Sequence, residues 1–542
     1  MSDAASPHQP TVAFLGWARL RMQAEEGSGY NLSASELAAG LAETGVVVHY
    51  LGSGLRYDLR PGPRIRRTEP WRGIECWELV NSPNLAPSAL NLRNVSRERS
   101  CPATTRLVLR WLSRIGARIV HAHSLEGLSL DLIPAIEAAG IRVVVTTHNY
   151  WFACPQVDLL HREREVCLDF EGGRRCAECL DAPNPAVRRL KRRVGQSIER
   201  VTGERLAGSA RSALGGMARA VADRKGEEDA PIDEQRMLGY DPNDAHAEGG
   251  YGLELRDGAI GPPPPVLPGD TNERVLANAD VHLRVLNEYG RRREDGIAAL
   301  NAASLVTPPS AFLGTVHVSM GLDEARLRVV RLGQPHFDRM HRAAMAAPGY
   351  RCSPWTPNDH RPLRLGFFGT TRPNKGLRVL VDAIGALPAE VRRRCQFLIR
   401  ASGWDWPFRK RLSRYPQVQF AGGFDLLQRV ASVGEYDVGV LPHIWMENSP
   451  LVLLEHLHAG KMVITSRLGG PPEWIERDGE ATNGLLFPSG DAGALAGCIA
   501  SIVRGDVAIP SPERIHRLSP HLQSYPGHVG EVRSIYDELL VR

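Results

Sequence analysis

From residue 447 to residue 455 the chain reads Glu-Asn-Ser-Pro-Leu-Val-Leu-Leu-Glu. Ser449 and Pro450 predict the start of a helix that runs to His458, because serine favours the N-cap and proline the first helical position. A helix start offers free backbone N–H groups and the positive end of the helix dipole. The stretch therefore predicts an anion site with a carboxylate on either side. The alternative is an amphipathic helix that carries two unrelated acids.

Two glycine-containing motifs accompany this helix. Residues 368–376 read Phe-Gly-Thr-Thr-Arg-Pro-Asn-Lys-Gly, and residues 469–473 read Gly-Gly-Pro-Pro-Glu. Together the three stretches resemble the retaining GT-B glycosyltransferases of family 4 (glycosyl transferases group 1), in particular a cysteine-containing subset. The resemblance is densest over residues 363–500 and continues more weakly through residues 11–335. It implies an α/β fold of the GT-B type, with two doubly wound Rossmann-like domains facing across a cleft.

The resemblance also implies an activity. A sugar would move from a nucleotide-diphosphate sugar to an acceptor hydroxyl with retention of configuration, and the helix start and basic side chains would replace a metal ion at the diphosphate. Glu447 would be catalytic and hold the transferred sugar, while Glu455 would bind the ribose. The implied donor site comprises Gly29, Arg372, Lys375, Asn448, Ser449, Pro450, Leu451 and Glu455.

One residue departs from the family pattern. Thr370 stands where an arginine is usual, and Arg372 comes two residues later. A non-catalytic nucleotide-sugar-binding or scaffold protein with a degenerate site is therefore the second hypothesis. The sequence leaves open whether the donor is a UDP- or a GDP-sugar, and whether the acceptor is a glycan, a lipid or a natural-product intermediate.

The first half of the chain predicts a parallel sheet. A strand at residues 11–15, a glycine loop, a helix and a second strand at residues 46–51 follow each other in the order of a doubly wound fold. The loop lacks the third glycine of a dinucleotide fingerprint, which disfavours a nicotinamide oxidoreductase. A later strand, residues 143–147, ends at His148, where such sheets bind ligands. The resemblance places His148 at the acceptor interface as the second catalytic candidate; the alternative is an ordinary loop histidine.

Four cysteines follow His148 within a stretch of 26 residues: Cys154, Cys167, Cys176 and Cys179. Thiolates in one short loop are able to hold a tetrahedral Zn²⁺ or an iron–sulfur cluster. Free thiols or two local disulfides are the alternatives. A structural zinc ion on these four residues is the favoured hypothesis, and its expected role is to shape the acceptor side.

The chain of 542 residues is too long for one ordinary core. We expect an N-terminal acceptor-side domain over residues 1–335, a hinge at 336–362 and a C-terminal donor domain over 363–542. The first domain contains the cysteine loop 150–181 and a flexible insertion at 222–270. A long helix is expected from Thr271 to Ala302, and a strand from Leu327 to Leu332.

Composition limits the partners. The net charge is only +5, and the basic residues are almost all arginine, so arginine-rich stretches such as residues 188–193 are weak signals for nucleic acid. A solvated helix face is the preferred interpretation there, and contact with an acidic membrane surface is the alternative. No apolar run reaches the roughly 18 residues of a membrane span. The expected location is the cytoplasm, with peripheral membrane contact as a further hypothesis.

Overall fold

The structure is a computed structural model. It describes residues 10–20, 29–163, 165–167, 170–179, 184–202, 263–277, 284–422 and 426–541. Most of the predicted insertion, residues 222–262, lies outside these ranges.

The N-terminal unit is built on a seven-stranded sheet. The strands described in this unit, in chain order, are β1 (Thr11–Gly16), β2 (Val47–Arg56), β3 (Arg64–Arg67), β4 (Glu75–Val80), β5 (Ile119–Ala122), β6 (Arg142–Val145), β7 (Leu160–His161), β8 (Glu165–Val166) and β9 (Leu305–Val306). The spatial order of the sheet is β3-β4-β2-β1-β5-β6-β9, with only β3 and β4 antiparallel. β7 and β8 form a separate hairpin in the cysteine loop.

Helices cover both faces of this sheet, so the central strands are buried on both sides, as expected for parallel sheets. In β1, Val12, Ala13, Phe14 and Leu15 are fully buried and point alternately into two separate clusters of the core. The helices are Gly29–Glu43, Ser96–Arg99, Pro102–Ile115, Leu132–Ala138, Arg174–Ala177, Pro185–Thr202, Thr271–Ala277, Glu288–Ala302 and Ala311–Ser319.

The second unit repeats the architecture with a six-stranded parallel sheet of order β12-β11-β10-β13-β14-β17. Its strands are β10 (Leu363–Thr370), β11 (Cys395–Ser402), β12 (Val418–Phe420), β13 (Val438–Leu441), β14 (Met462–Ser466), β15 (Arg477–Asp478), β16 (Ala481–Thr482) and β17 (Gly484–Phe487). Its helices are Pro335–Ala346, Leu377–Ala386, Ala389–Arg393, Trp406–Leu412, Leu426–Ala431, Leu451–His458, Ala492–Arg504 and Pro512–Arg517. The predicted pair of doubly wound α/β units is thus confirmed.

The last helix, Tyr525–Val541, returns to the N-terminal unit. Its residues Val529, Val532 and Ile535 join the core formed by β1 and the helix Gly29–Glu43. The polypeptide therefore passes between the two units twice, once before the helix Pro335–Ala346 and once before the last helix. The predicted domain boundaries stay a prediction, with this helix as an added connection.

Two expected elements differ from the observed ones. The segment Leu327–Leu332 is not a strand: Leu327 makes only an isolated bridge with Val306, at the edge of the sheet. The helix expected from Thr271 to Ala302 is interrupted, because residues 284–287 are not helical and the Asn287 side chain caps a new helix start. Among the described helices, none combines the length and the apolar character needed to cross a bilayer.

Candidate active site

Lys375 and Glu447 meet at the carboxyl ends of the strands of the second sheet. Lys375 closes a turn after β10, and its Nζ lies 2.7 Å from Oε1 of Glu447. The next residue, Gly376, has a φ of +71°, and a Cβ there would lie 1.7 Å from the carbonyl oxygen of Pro442. Only glycine fits this conformation and approach. Burial raises the pKa of Glu447, but the Lys375 ammonium together with His443 and Trp445 outweighs it and holds that pKa below its usual value.

Gly469 and Gly470 pack closely against the backbone of residues 447 and 448. A Cβ on Gly469 would lie 2.2 Å from the Glu447 carbonyl oxygen, and one on Gly470 would lie 1.9 Å from that of Asn448. The Gly470 N–H donates to the Glu447 carbonyl at 2.7 Å. The Gly-Gly pair therefore lets β14 and its following turn pack directly under residues 447 and 448.

The helix spans Leu451–His458 as predicted, but its N-cap residue differs from the predicted one. Pro450, with a φ of −65° and a ψ of 125°, is the N-cap residue, and no side chain caps this helix. Ser449 is therefore not the cap; its hydroxyl is buried and has no hydrogen-bond partner among the described residues. The first-turn N–H groups keep their capacity to bind an anion. Gly29 lies across from this turn, since a Cβ there would be 3.6 Å from Cδ1 of Leu451.

Glu455 is buried and paired within the fold. Arg429 donates to its Oε1 at 2.7 Å, and Nε2 of His336 lies 3.1 Å from the same atom. Burial raises the pKa of Glu455, but these two partners lower it to about 2. The carboxylate is thus ionised and held in one orientation. Its predicted contact with a ribose stays a prediction.

Asn448 joins the two units at His148. Its amide nitrogen donates to the carbonyl oxygens of Thr147 at 3.3 Å and His148 at 3.2 Å, and its amide oxygen accepts from Ser310. The ring of His148 is hydrogen-bonded through Nε2 to Nδ1 of His123 at 2.9 Å. Two predicted site residues from opposite units are therefore in direct contact.

A second contact between the units involves Glu473, the last residue of the third motif. Its carboxylate accepts from the backbone N–H of Ala311 at 2.9 Å and of Phe312 at 2.5 Å, at the start of the helix Ala311–Ser319. Arg331 donates to the same carboxylate at 2.8 Å. In the sequence, Glu473 was recognisable only as part of a motif. Its capping of the helix Ala311–Ser319 was not predictable, because that helix belongs to the other unit.

Sequence reasoning also missed Asp158, Tyr150 and Asn374, which lie beside Lys375 and Glu447. A signal for Asp158 was present: it is the sole charged residue in the otherwise uncharged stretch 150–160.

The four cysteines are thiols in this structure and do not form disulfides. The Cys179 thiol donates to Oε1 of Gln156 at 2.9 Å, and the Cys176 sulfur lies 3.8 Å from a guanidinium nitrogen of Arg293. Burial raises the pKa of Cys154 to about 11 and that of Cys179 to about 12. Across the described part of the chain, no group of three or more histidine, cysteine, aspartate or glutamate side chains is placed to hold a metal ion. As placed, the thiols do not fit a zinc site.

Parts of the chain match known proteins in sequence. Residues 362–504 match the family model described as "Glycosyl transferases group 1". The chain is 33% identical over 136 residues to a phosphatidyl-myo-inositol mannosyltransferase from Mycobacterium leprae, covering 25% of this chain and 35% of that protein. It is 26% identical over 260 residues to the amylovoran biosynthesis glycosyltransferase AmsK from Erwinia amylovora, covering 43% of this chain and 56% of that protein.

Solved structures match nearly the whole chain. A sucrose-phosphate synthase from Thermosynechococcus elongatus gives a TM-score of 0.54 at 15% identity, covering 98% of this chain and all of that one. A UDP-forming α,α-trehalose-phosphate synthase from Burkholderia xenovorans gives 0.53 at 10% identity, with coverage of 98% and 100%. These matches show the GT-B fold. The matched curated relatives transfer sugars by name, but the chain spans only 35% and 56% of their lengths.

Proposed function

We propose that this protein transfers a sugar from a nucleotide-diphosphate sugar to an acceptor hydroxyl with retention of configuration, as family 4 enzymes do. The observation that carries the proposal is the Lys375–Glu447 pair beside the uncapped start of the helix Leu451–His458. A cation and free N–H groups suit a diphosphate leaving group, whose negative charge grows as the bond breaks. The group 1 family match spans all of these residues, which supports the same assignment.

The donor is proposed to be a UDP- or GDP-sugar. The name of one structural neighbour says that it forms UDP, and one relative is a mannosyltransferase, so both bases belong in a screen. Thermal-shift measurements with UDP-, GDP-, ADP- and dTDP-sugars test the proposal, followed by detection of released nucleotide. Stabilisation by none of these donors would overturn it.

The chemistry is proposed to need no metal ion, because Lys375, Arg372 and the helix start would neutralise the leaving group. Nucleotide release should therefore survive EDTA in short assays, and an absolute need for added Mg²⁺ or Mn²⁺ would contradict this part.

Glu455→Ala is expected to weaken donor binding, since Glu455 is proposed to bind the ribose. Unchanged donor affinity in that variant would remove the assignment of Glu455.

The second candidate is a non-catalytic nucleotide-sugar-binding protein. The observation favouring it is Thr370, whose buried hydroxyl stands in place of the usual arginine and has no partner among the described residues. Donor binding without nucleotide release, across the panel of donors and a range of glycan and lipid acceptors, would favour this candidate over the transferase.

A zinc ion on Cys154, Cys167, Cys176 and Cys179 stays a prediction from the sequence. The thiols as placed do not form such a site. Binding would require the thiols to deprotonate and to turn toward one ion. Elemental analysis of protein purified under reducing conditions checks it. About one equivalent of zinc, lost in Cys176→Ser with Cys179→Ser, would support the site, whereas metal-free protein would leave four plain thiols.

A further inference from the structure

Asp158 is presented to the cleft by an unusual turn. Its neighbours Val157 and Leu159 have φ angles of +74° and +49°, the left-handed region that side chains other than glycine rarely adopt. Both neighbours are buried, at 9% and 1% exposure. Such conformations persist only where the surroundings fix them, and they cluster at functional sites.

Backbone hydrogen bonds hold this turn on both sides of Asp158. The Tyr150 N–H donates to the Val157 carbonyl at 3.1 Å, and the Cys167 N–H donates to the Leu159 carbonyl at 2.8 Å. The two unfavourable residues are thereby locked in place. The consequence is a carboxyl group with a fixed position, supplied by the N-terminal unit.

The Asp158 carboxyl faces the donor-side turn of the second unit. Val157 and Leu159 belong to the same buried apolar cluster as Met446, the residue before Glu447, and the side chain of Asn374 and the charges of Arg372, Lys375 and Glu447 act on the Asp158 carboxyl. Burial raises the pKa of Asp158 to about 7, while the charges of Arg372 and Lys375 oppose this rise. The group is therefore at the junction of the predicted phosphate-binding cations and the predicted catalytic carboxylate.

Tyr150 contributes a second polar group to the same place. Its side chain is fully buried, and its hydroxyl has no hydrogen-bond partner among the described residues. Burial raises the pKa of Tyr150, and the nearby charges of Glu447, Glu473 and Asp158 add to the rise. A buried hydroxyl without a partner is costly and calls for a ligand or water as its partner.

We propose that Asp158 and Tyr150 bind the hydroxyl groups of the sugar carried by the donor; this inference rests on the proposed function. At pH 8, above its pKa, the Asp158 carboxyl is largely ionised and only accepts hydrogen bonds, so it does not pair with a phosphate, which offers acceptors and negative charge. Sugar hydroxyls donate as well as accept. Lys375 and Arg372 would face the diphosphate, while Glu447 and Asp158 would flank the sugar that follows it.

The test compares each nucleotide with its own sugar derivative. At pH 8, where Asp158 is largely ionised, calorimetry measures the affinity for the nucleotide that the wild type binds, UDP or GDP. It also measures the affinity for the sugar derivatives of that nucleotide, UDP-glucose and UDP-galactose or GDP-mannose. Asp158→Asn should lower the ratio of sugar-nucleotide affinity to nucleotide affinity about 10-fold, as expected for loss of a charged hydrogen bond. Affinity for the bare nucleotide should stay equal or increase, because a negative charge near Arg372 and Lys375 is removed.

Two further variants complete the comparison. Tyr150→Phe keeps the buried ring and should lower the same ratio by a smaller factor, about 3-fold. Glu165→Gln removes a charge from the exposed side of the same loop, where Glu165 pairs with Arg175, and should change neither affinity. This control separates contact with the sugar from a general effect of the loop's charge.

The outcomes are distinguishable. An unchanged ratio in Asp158→Asn, or an equal loss of affinity for the bare nucleotide and its sugar derivative, overturns the inference and leaves the proposed function standing. A wild-type protein that binds none of the nucleotides overturns the proposed function, and this inference with it. A reduced ratio with intact nucleotide affinity supports both.

Discussion

The ammonium of Lys375 and the carboxylate of Glu447, 72 positions apart in the chain, are direct partners at 2.7 Å. The Lys375 ammonium also lies 5.3 Å from the centre of the Trp445 ring. Two motifs that are separate in sequence thus form one charged centre, in which a partly exposed ammonium compensates a buried carboxylate. Removing one leaves the other uncompensated, which makes both residues sensitive to substitution.

Glu447→Gln should lower kcat by about 100-fold or more, the usual cost of losing one preorganised electrostatic contact to the transition state. The nucleotide released from the donor that the wild type binds provides the measurement. Glu390→Gln, on the exposed surface of the second unit, is the matched control and should retain wild-type turnover. Wild-type kcat in the Glu447 variant would end its assignment as catalytic.

Glu455→Gln should destabilise the protein in a pH-dependent way. The folded-state pKa of Glu455 is about 2, below its ordinary value of 4.5, so its ionised form stabilises the fold above pH 4.5 and that contribution is lost as pH falls toward 2. Loss of the carboxylate removes a charge partner from Arg429, whose side chain is only 15% exposed, which costs about 3–5 kcal/mol near neutral pH. Urea unfolding at several pH values should show the gap between variant and wild type closing below pH 4. A gap independent of pH would contradict the ion-pair explanation.

His148 should stay neutral between pH 5 and pH 8. Burial lowers its pKa to about 3, and the nearby His528 adds to the effect. Its hydrogen bond with His123, whose pKa burial also lowers, needs only one proton between the two facing nitrogens. The ring resonances of His148 in NMR spectra should therefore not move over this range, with the exposed His521 as a solvent-accessible reference. Protonation of His148 near pH 6 would show that the ring is not buried as described.

Glu473→Gln should weaken the contact between the units by about 1 kcal/mol, the typical worth of a helix N-terminal cap. The carboxylate accepts from two backbone N–H groups at the start of the helix Ala311–Ser319, and an amide offers a single oxygen in its place. The free energy of urea unfolding gives the measurement. Glu480→Gln, an exposed neighbour on the same unit, should leave stability unchanged. Equal stability of both variants would rule out the cap as a stabilising contact.

Much of the second unit was predictable because its strands are short apolar runs that end in glycine-containing turns. In a parallel sheet the carboxyl ends of the strands meet at one edge, so Lys375 after β10 and Glu447 after β13 had to lie close together. The same argument placed His148 at the corresponding edge of the first sheet. The choice of Lys375 and Glu447 as site residues came from the family resemblance, whereas the position of His148 followed from strand order.

Other features depend on tertiary contacts that periodicity does not encode. Leu327–Leu332 is apolar enough for a strand, yet only Leu327 forms a bridge with the short strand β9, and the Val330 N–H donates to the Pro308 carbonyl beyond the end of that strand. Ser449 has the residue type of a cap, but the extended backbone of Pro450 moves the helix start beyond it. The role proposed for Asp158 depends on the cysteine loop folding against the turn that contains Asn374.

The two passages of the chain between the units touch each other. A Cβ on Gly333 would lie 2.3 Å from the carbonyl oxygen of Ser524, and the Tyr525 N–H donates to the Asp338 carboxylate at 3.2 Å. Because the two connecting segments contact each other, we expect the cleft to open by a rotation about this point. The cleft residues farthest from it would move most. A gene cut at residue 362 would consequently yield two fragments, and the first would lack the C-terminal helix that completes its own core.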